Sequence, residues 1–441
     1  MMNCSSVKKL YECMPKKIKF LLSPIFIRVI INNPIYQKTI HELDEFEKLS
    51  YTEKKEKQLL ILRETLIYAY NNVPYYKEKF DEVRFNPVKM NDITDIAKIP
   101  LLTKDMAIEA GESIYSTEKI NYYESVTGGS SGRALNVMLD KDSIYKERAF
   151  INHYLRKYGY NPKTTKTLAF FGHNKDQDYY YSPLKNEIVI SPFKLFDEKS
   201  FEIVRKVIKD FEPDFISGYP SAIYLFAQMV ERNNEHYEFK LVDFYAENYT
   251  LEMKDYIERV LHCNAVSNYG HTERAVFAEE YKDGYVFNSL YGYTEFLPTD
   301  VEGEYKICCT GFITRKMPLI RYVTDDVVRF NKKGYAIIQG HKFSEIYLLS
   351  KTGGKIFKGA LTLHIAAFNK VKQYQYVQYE QGEAYLDLVL VSPLEDSEKE
   401  DILNYIVKRC ENQIAIKIRI VNHIELTRRG KYNWAINKIG T

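Results

Sequence analysis

Four short stretches carry residue types that could act on a phosphate or a carboxylate. The sharpest is Ser125-Val126-Thr127-Gly128-Gly129-Ser130-Ser131-Gly132-Arg133-Ala134. Its small residues let backbone amides close on a polyphosphate, and the hydroxyls of Thr127, Ser130 and Ser131 add donors. The order differs from G-x-x-x-x-G-K-[ST], so it is not the usual nucleotide P-loop, and a plain Gly/Ser turn has the same composition. The second is Asn268-Tyr269-Gly270-His271-Thr272-Glu273, just after the apolar Ala265-Val266. A flat Tyr, a hydroxyl and a carboxylate in one turn can stack a base, hold a phosphate and bind Mg²⁺ through oxygen. A strand-to-helix loop capped by Thr272 reads the same way. The third, Pro318-Leu319-Ile320-Arg321-Tyr322-Val323-Thr324-Asp325-Asp326, puts a carboxylate at a strand end, where it can accept two hydrogen bonds from ribose hydroxyls or merely belong to a turn. The fourth is Glu425-Leu426-Thr427-Arg428-Arg429-Gly430-Lys431. A Lys beside a Gly on a loop can approach charge developing at a phosphoryl centre, and a solvated basic loop has the same make-up.

These stretches are spread along 441 residues, long enough for two or three structural units. The hydrophobic share of 45% and charged share of 27% are those of a globular protein, and the net charge of +3 gives no general argument for nucleic acid. The six cysteines (Cys4, Cys13, Cys263, Cys308, Cys309, Cys410) form no C-x-x-C pair, which fits a reduced cytoplasmic compartment better than a disulfide framework or a structural zinc site. No uninterrupted apolar stretch of about 18 residues predicts a membrane span. The apolar Ile18–Ile31 segment, with Lys8, Lys9, Lys16 and Lys17 before it, reads as a helix packed on the main body. An interfacial basic anchor is its alternative, giving residues 1–35 a possible peripheral contact with the membrane or a partner. Pro24 and Arg28 interrupt it as a signal peptide.

The elements that must position the four stretches are legible as patterns. Residues 40–85 carry helical spacing, with Asn71-Asn72-Val73-Pro74 as a stop and Thr103 as a later cap. From about 120 to 340, short apolar runs (Thr167–Phe171, Phe215–Gly218, Val242–Ala246) alternate with helical Phe201–Asp210 and Ser221–Arg232, which predicts α/β layers. After about 345 the strands Val371–Tyr379, Tyr385–Val391 and Ile416–Val421 and the helix Ser397–Asn412 predict a small α+β unit. The expected division is 1–345 for an α/β body, helical over 1–90, and 346–441 for the smaller unit.

In this order and spacing the four stretches resemble the adenylate-forming (AMP-binding) superfamily, in its phenylacetate–CoA ligase-like branch, which includes capsule-associated proteins. Val73-Pro74-Tyr75-Tyr76, Ile99-Pro100-Leu101-Leu102-Thr103-Lys104, Gly218-Tyr219-Pro220-Ser221 and Ala246-Glu247 extend the resemblance over most of the chain from Val73 to Lys431. The resemblance implies a large α/β body and a mobile C-terminal lid that rotates between two half-reactions. It implies ATP and Mg²⁺ as cofactors, with the Thr127–Gly132 loop on the β- and γ-phosphates. Tyr269 is then expected against adenine, Thr272 on the α-phosphate, Glu273 on Mg²⁺, Asp326 on the ribose, and Lys431 between the carboxylate and the α-phosphate. Ala246 and Glu247 fall with the nucleotide positions, and His173, Tyr219, Tyr245 and Gly270 with the walls of the acyl site.

The implied activity is activation of a carboxylic acid as its acyl-adenylate with pyrophosphate release, then transfer to coenzyme A. The alternative acceptor is an amine, such as an amino sugar or amino acid in polysaccharide synthesis. A reading of another class is a nucleotide-binding partner protein that does not catalyse. Three positions depart from the family pattern: Asp325 stands where Gly is usual, Gly340-His341-Lys342-Phe343-Ser344-Glu345 lacks the hinge Arg and Asp, and Arg133-Ala134 replaces a frequent Pro and Lys. Lys351, Lys355, Lys358, Lys370, Lys372, Arg428 and Arg429 supply basic groups that coenzyme A phosphates would need.

Overall fold

The computed structural model describes residues 28–127, 135–172, 177–183, 185–195, 198–247, 249–339, 347–356, 361, 363, 365–424 and 434–439. A twelve-stranded mixed sheet dominates it. From edge to edge the strands are Gly292–Pro298, Tyr305–Gly311, Tyr322–Phe330, Ala336–Gln339, Gly284–Phe287, Phe277–Tyr281, Asn264–Gly270, Leu241–Phe244, Phe215–Gly218, Thr167–Phe170, Glu187–Ile190 and Tyr179–Ser182. The five strands from Asn264–Gly270 to Glu187–Ile190 pair in parallel, and the rest pair antiparallel. The parallel strands are continuous apolar runs because both of their faces are covered. On one face the helices Glu198–Phe211, Pro220–Arg232 and Leu251–Leu261 pack with Leu168, Phe170, Ile216, Val242 and Phe244. The first of these buries Phe201, Val204, Val207, Ile208 and Phe211, the three-and-four spacing that a helix needs to present one apolar stripe. On the other face the helix Ser143–Arg156 packs through Phe150, Tyr154 and Leu155 on Phe215, Leu241 and Val266.

The N-terminal helices are Pro34–Lys48, Tyr51–Asn72 and Pro74–Glu82. Ser50 and Glu53 form a reciprocal capping box at the start of the second helix. Pro74, which cannot continue that helix, opens the third. Leu62, Leu66, Ala69, Tyr76 and Phe80 line their inner faces and join Leu135, Val137 and Leu139 of the hairpin Tyr122–Val126/Asn136–Asp140 in a second core. Of the apolar N-terminal segment, Ile30 and Ile31 are buried against Tyr36 and Ala149. Residues 1–27 lie outside the described residues. Among those described, no helix is long and apolar enough to cross a membrane.

A separate four-stranded sheet follows, ordered Ala415–Ile420, Glu383–Leu390, Val371–Glu380, Ala435–Asn437 and backed by the helix Asp396–Arg409. Tyr374, Tyr376, Leu386, Leu388, Ile402, Ile406 and Trp434 fill its core, which also takes in Phe193 from the larger part of the chain. The Lys351–Lys355 turn closes a short hairpin between Leu348–Leu349 and Lys355–Ile356.

Candidate active site

The strand Asn264–Gly270 is where the sheet changes character. Its first half pairs in parallel with Leu241–Phe244, and Asn268, Tyr269 and Gly270 pair antiparallel with Glu279, Ala278 and Phe277. Ligands of open α/β sheets bind beyond the carboxyl ends of the parallel strands. The 268–273 stretch leaves the parallel part of the sheet at that end. It does not run into a helix: Thr272 and Glu273 form a turn, Arg274 takes a left-handed conformation, and the chain returns as the antiparallel strand Phe277–Tyr281. The capping alternative for Thr272 falls away, since no helix follows for it to cap.

Tyr269 donates its phenol to Asp326 Oδ2 at 2.7 Å, which joins two stretches 57 positions apart. Burial first, and then the Asp326 carboxylate, push the phenol's pKa well up and keep it a donor. The expectation that Asp326 lies at a strand end is corrected: it lies within the strand Tyr322–Phe330, in a bulge. Pairing with Tyr305–Gly311 skips from Cys308↔Val323 to Lys306↔Val327, leaving Thr324, Asp325 and Asp326 opposite Ile307 alone. Such a bulge re-aims side chains within a strand. Asp326 is turned to Tyr269, and Asp325 is exposed.

Glu273 is a buried carboxylate among three groups that hold its charge. His271 Nδ1 lies 3.2 Å from Oε2, and the Tyr322 phenol donates to Oε1 at 3.1 Å. Burial alone would raise the Glu273 pKa, but the charge and hydrogen bond of His271, with Lys104 behind them, bring it down to about 2. His271 answers in kind: burial disfavours its protonation, Glu273 outweighs that, and its pKa ends raised. The Cys309 thiol approaches His271 Nε2 at 3.9 Å, but burial holds it protonated, so it offers no nucleophile. A single ionised carboxylate is the donor set from which Mg²⁺ is commonly held when substrate phosphates supply the other oxygens. Glu273 fits that use.

The family-like stretches outside the four motifs hold this cluster in place. Tyr76 is fully buried, donates to Pro318 O at 2.8 Å and accepts from Ile320 N at 3.0 Å. Leu102 and Arg321–Val323 exchange two backbone hydrogen bonds, Leu102 N to Arg321 O and Val323 N to Leu102 O, each 2.9 Å. Arg321, in the left-handed region at φ 49°, sends a fork to Glu295 at 3.0 and 2.8 Å and donates to the carbonyls of Ala97 and Ile99. Its four side-chain hydrogen bonds all serve the scaffold. Thr103 caps the helix Lys104–Glu109, as its position predicts, and so sets Lys104 toward Glu273 and Asp325.

A few strands away the carboxyl ends of the parallel strands carry an aromatic wall. Phe171 meets Tyr219 and Tyr245 edge-on, each at 5.6 Å between ring centres. A side chain at Gly218 would meet the Phe170 carbonyl oxygen at 2.7 Å, so only glycine lets the chain turn there into Tyr219. Glu247 accepts from the Ser221 hydroxyl at 2.6 Å, which ties Gly218–Ser221 to Ala246-Glu247 across the left-handed Ala246. Glu247 is thus a brace for the wall's two turns. Asp243, buried on its strand two residues before Tyr245, accepts from Ser217 Oγ at 3.3 Å and Asn268 Nδ2 at 3.5 Å. Burial raises its pKa to about 7 against the pull of Ser217, Arg148 and Lys185.

The remaining expected residues are less connected to the site. Thr127 is buried and its hydroxyl accepts from Leu135 N at 2.9 Å, pinning the neck of its loop and leaving its proton to donate. Gly128, Gly129, Ser130, Ser131 and Gly132 lie outside the described residues, as do His173, Lys431 and the His341–Glu345 stretch. Gly270 is exposed at the end of its strand. Tyr269, Glu273 and Asp326 are therefore brought together with Thr272 beside them, and Tyr219, Tyr245, Ala246 and Glu247 form a second group.

Known proteins resemble this chain in sequence and in fold. Residues 348–438 match the family described as the CapK C-terminal domain. Protein CapK of Staphylococcus aureus is 25% identical over 448 residues, 95% of this chain and 98% of that protein. Phenylacetate-coenzyme A ligase of Escherichia coli (strain K12) is 27% identical over 311 residues, 65% of this chain and 70% of the enzyme. The solved structure of 2-hydroxyisobutyryl-CoA ligase with 2-HIB-AMP and CoA, in the thioesterification state, shares the fold with a TM-score of 0.53 at 15% identity, covering 89% of this chain and 91% of that one. The chain is similar to protein CapK and to phenylacetate-coenzyme A ligases in sequence, and it shares the fold of an adenylate-forming acyl-CoA ligase.

Three residues that the structure brings to the candidate site have no role in the sequence motifs: Lys104, Asp243 and Arg409. Lys104 ends one of the family-like stretches, which was signal enough to single it out. Asp243, in the run Val242-Asp243-Phe244, is the acidic residue inside an apolar strand, a pattern that marks a buried acid. Beyond Tyr405 on its own helix, Arg409 meets Tyr219 and Gly172, about 190 and 237 positions away, and no local pattern signals those two contacts.

Proposed function

We propose that this protein activates a carboxylic acid with ATP, forming an enzyme-bound acyl-adenylate and pyrophosphate, and then transfers the acyl group to coenzyme A. The observation that carries the reading is the Tyr269–Asp326 hydrogen bond beside ionised Glu273, which gathers a base-stacking ring, a ribose acceptor and a phosphate-side carboxylate into one site. The similarity to phenylacetate-coenzyme A ligases over 65% of the chain supports the same chemistry.

In this reading adenine lies along Tyr269, and the Asp326 carboxylate accepts from the ribose hydroxyls while the Tyr269 phenol holds it in register. The Thr127–Gly132 loop receives the β- and γ-phosphates, and the Thr272 hydroxyl donates to the α-phosphate. Glu273 holds Mg²⁺, which neutralises phosphate charge when bound. His271 and Lys104 keep that carboxylate ionised in a buried place, where an uncompensated acid would take up a proton. The acid enters along Phe171, Tyr219 and Tyr245, already ionised at neutral pH, so no general base is needed. One of its oxygens attacks the α-phosphorus, the bond to the pyrophosphate oxygen breaks, and pyrophosphate leaves with the electron pair. Catalysis is positioning and charge stabilisation, with Lys431 bridging the acid and the α-phosphate. The division near residue 345 into a body and a moving lid is part of the same proposal.

A second acceptor has its own support. The sequence similarity to protein CapK runs along nearly the whole chain, whereas that to the phenylacetate-coenzyme A ligases covers about two thirds of it. The Gly340–Glu345 stretch also lacks the hinge residues of the wider family. An amine acceptor, giving an amide, is consistent with both. The test is a panel of acids with ATP and Mg²⁺, following pyrophosphate, then coenzyme A or amines added to the accumulated acyl-adenylate. Thioester formed as fast as pyrophosphate is the expected result. AMP release with amines alone selects the amide ligase, and absence of acid-dependent pyrophosphate refutes adenylation.

A further inference from the structure

The helix Asp396–Arg409 of the C-terminal sheet unit ends against the aromatic wall of the larger body. Arg409 donates through Nη2 to the Tyr219 hydroxyl at 3.3 Å and through Nη1 to the Tyr405 hydroxyl at 3.0 Å. The guanidinium lies flush over Gly172, where a Cβ would stand 3.4 Å from Nε and 3.8 Å from Cζ. Two further contacts flank it. Lys194 of the body bridges Asp178 at 3.1 Å and Glu411 of the C-terminal unit at 3.4 Å, and the Phe193 ring beside it is buried in the C-terminal core. Tyr219 therefore faces two ways: its ring packs edge-on against Phe171, and its hydroxyl is held by the other unit.

We infer that Arg409 is a positioning residue that couples the placement of the C-terminal unit to the shape of the acyl pocket. This rests on the reading of Tyr219 and Tyr245 as pocket walls. With the unit docked as described, the guanidinium covers Gly172 and fixes the Tyr219 hydroxyl, and Tyr219 fixes Phe171 and through it Tyr245. When the unit leaves, the wall loses its cover and its donor together, so the acid is gripped in one arrangement and loosened in the other. Rigid packed walls respond to such a change as a switch between two states, since a close-packed interior does not deform gradually. Exchange of lid positions would then carry a built-in signal to the acyl group, 190 residues away in sequence.

The test uses the full chain with Arg409→Ala, Arg409→Lys, Tyr219→Phe and the double variant Arg409→Ala/Tyr219→Phe, and reads two quantities. One is KM and kcat for acid-dependent pyrophosphate release, with KM for ATP alongside. The other is backbone hydrogen exchange over Ser191–Leu195 and Tyr405–Glu411. Arg409→Ala should raise KM for the acid about tenfold, the factor expected for losing one charge-assisted hydrogen bond, with KM for ATP changed less than about twofold. Exchange over both segments should quicken. Arg409→Lys should recover part of the exchange protection, and the double variant should be no worse than Arg409→Ala. Gly172→Val, which wedges the guanidinium away without removing its charge, should move the acid KM in the same direction and guards against a folding artefact in Arg409→Ala. Acid KM unchanged in both Arg409→Ala and Gly172→Val, or acid and ATP KM rising equally, overturns the proposal while leaving adenylation standing. Absence of acid-dependent pyrophosphate from the unaltered protein removes the adenylation reading and this proposal with it.

Discussion

The two ends of the candidate site are built differently. On the side of Tyr269, Glu273 and Asp326 the supporting contacts among the described residues come from within the larger body: Tyr76, Leu102, Lys104, Arg321 and Tyr322 tie four distant stretches into one frame. On the side of Phe171, Tyr219 and Tyr245 the wall is aromatic, with the buried acid Asp243 two residues before Tyr245, and is partly held from the C-terminal unit through Arg409. A frame closed within one unit keeps its geometry while a second unit moves. In the coupling inferred above, a wall shared between two units would report that movement. In the proposed reaction the first end holds the nucleotide and the second the acid, so the contrast separates a preorganised site from an adjustable one.

The contrast breaks most severely if Arg321 is removed. Arg321→Ala would strand Glu295 and two backbone carbonyls in a buried place, with a cost of about 3–5 kcal/mol to stability. Denaturant unfolding should show it, and a loss under about 1 kcal/mol would mean that the frame does not depend on this pin. Next comes Asp326→Ala, which should weaken kcat/KM for ATP by about 2 kcal/mol or more, some thirtyfold, while Asp325→Ala should stay within about threefold because Asp325 points to solvent. Reversal of the two would put the ribose contact one residue earlier.

The adjustable end should show its buried acid through pH. Asp243 has a folded pKa near 7 against 3.8 for an ordinary Asp, so the folded state binds the proton more tightly than the unfolded chain does. The stabilisation is fully present below about pH 4, is lost as pH rises to about 7, and is flat above. Asp243→Asn cannot ionise, so relative to the parent it should gain on the order of 2 kcal/mol between pH 5 and pH 8. A stability difference that stays constant over that range would mean Asp243 is ionised throughout, with Arg148 and Lys185 offsetting its burial. The smallest expected effect is Tyr269→Phe, which keeps the stacking ring and removes the 2.7 Å hydrogen bond to Asp326. It should cost about 1 kcal/mol in kcat/KM for ATP. An effect as large as that of Asp326→Ala would make the phenol, and not the ring, the important part of the side chain.

The sequence showed these two ends unequally, for physical reasons. The alternation of apolar runs with helical spacing was legible because each parallel strand is buried on both faces, and Thr103 and Pro74 were legible because a cap and a helix start are local events. The turn after Gly270 was not: Thr272 has the chemistry of a cap, and only the antiparallel return of Phe277–Tyr281 shows that no helix follows. Asp326 was recognisable as a candidate, but its bulge depends on a register slip against Tyr305–Gly311 that no single strand encodes. His271 stood within a motif, yet its role in holding Glu273 ionised depends on burial shared with Tyr322 and Lys104. Arg409 lay furthest from view, since its meaning comes entirely from where a separate unit docks.

The central claim, that the acid's carboxylate attacks the α-phosphorus of ATP, has a direct isotopic test. An acid that supports turnover is supplied with both carboxyl oxygens as ¹⁸O, together with ATP, Mg²⁺ and the acyl acceptor, and the products are weighed by mass spectrometry. Adenylation followed by acyl transfer leaves one acid oxygen on the phosphorus, so AMP should carry one ¹⁸O and pyrophosphate none. Label in inorganic phosphate, with ADP as the nucleotide product, would place the attack at the γ-phosphorus and contradict the account.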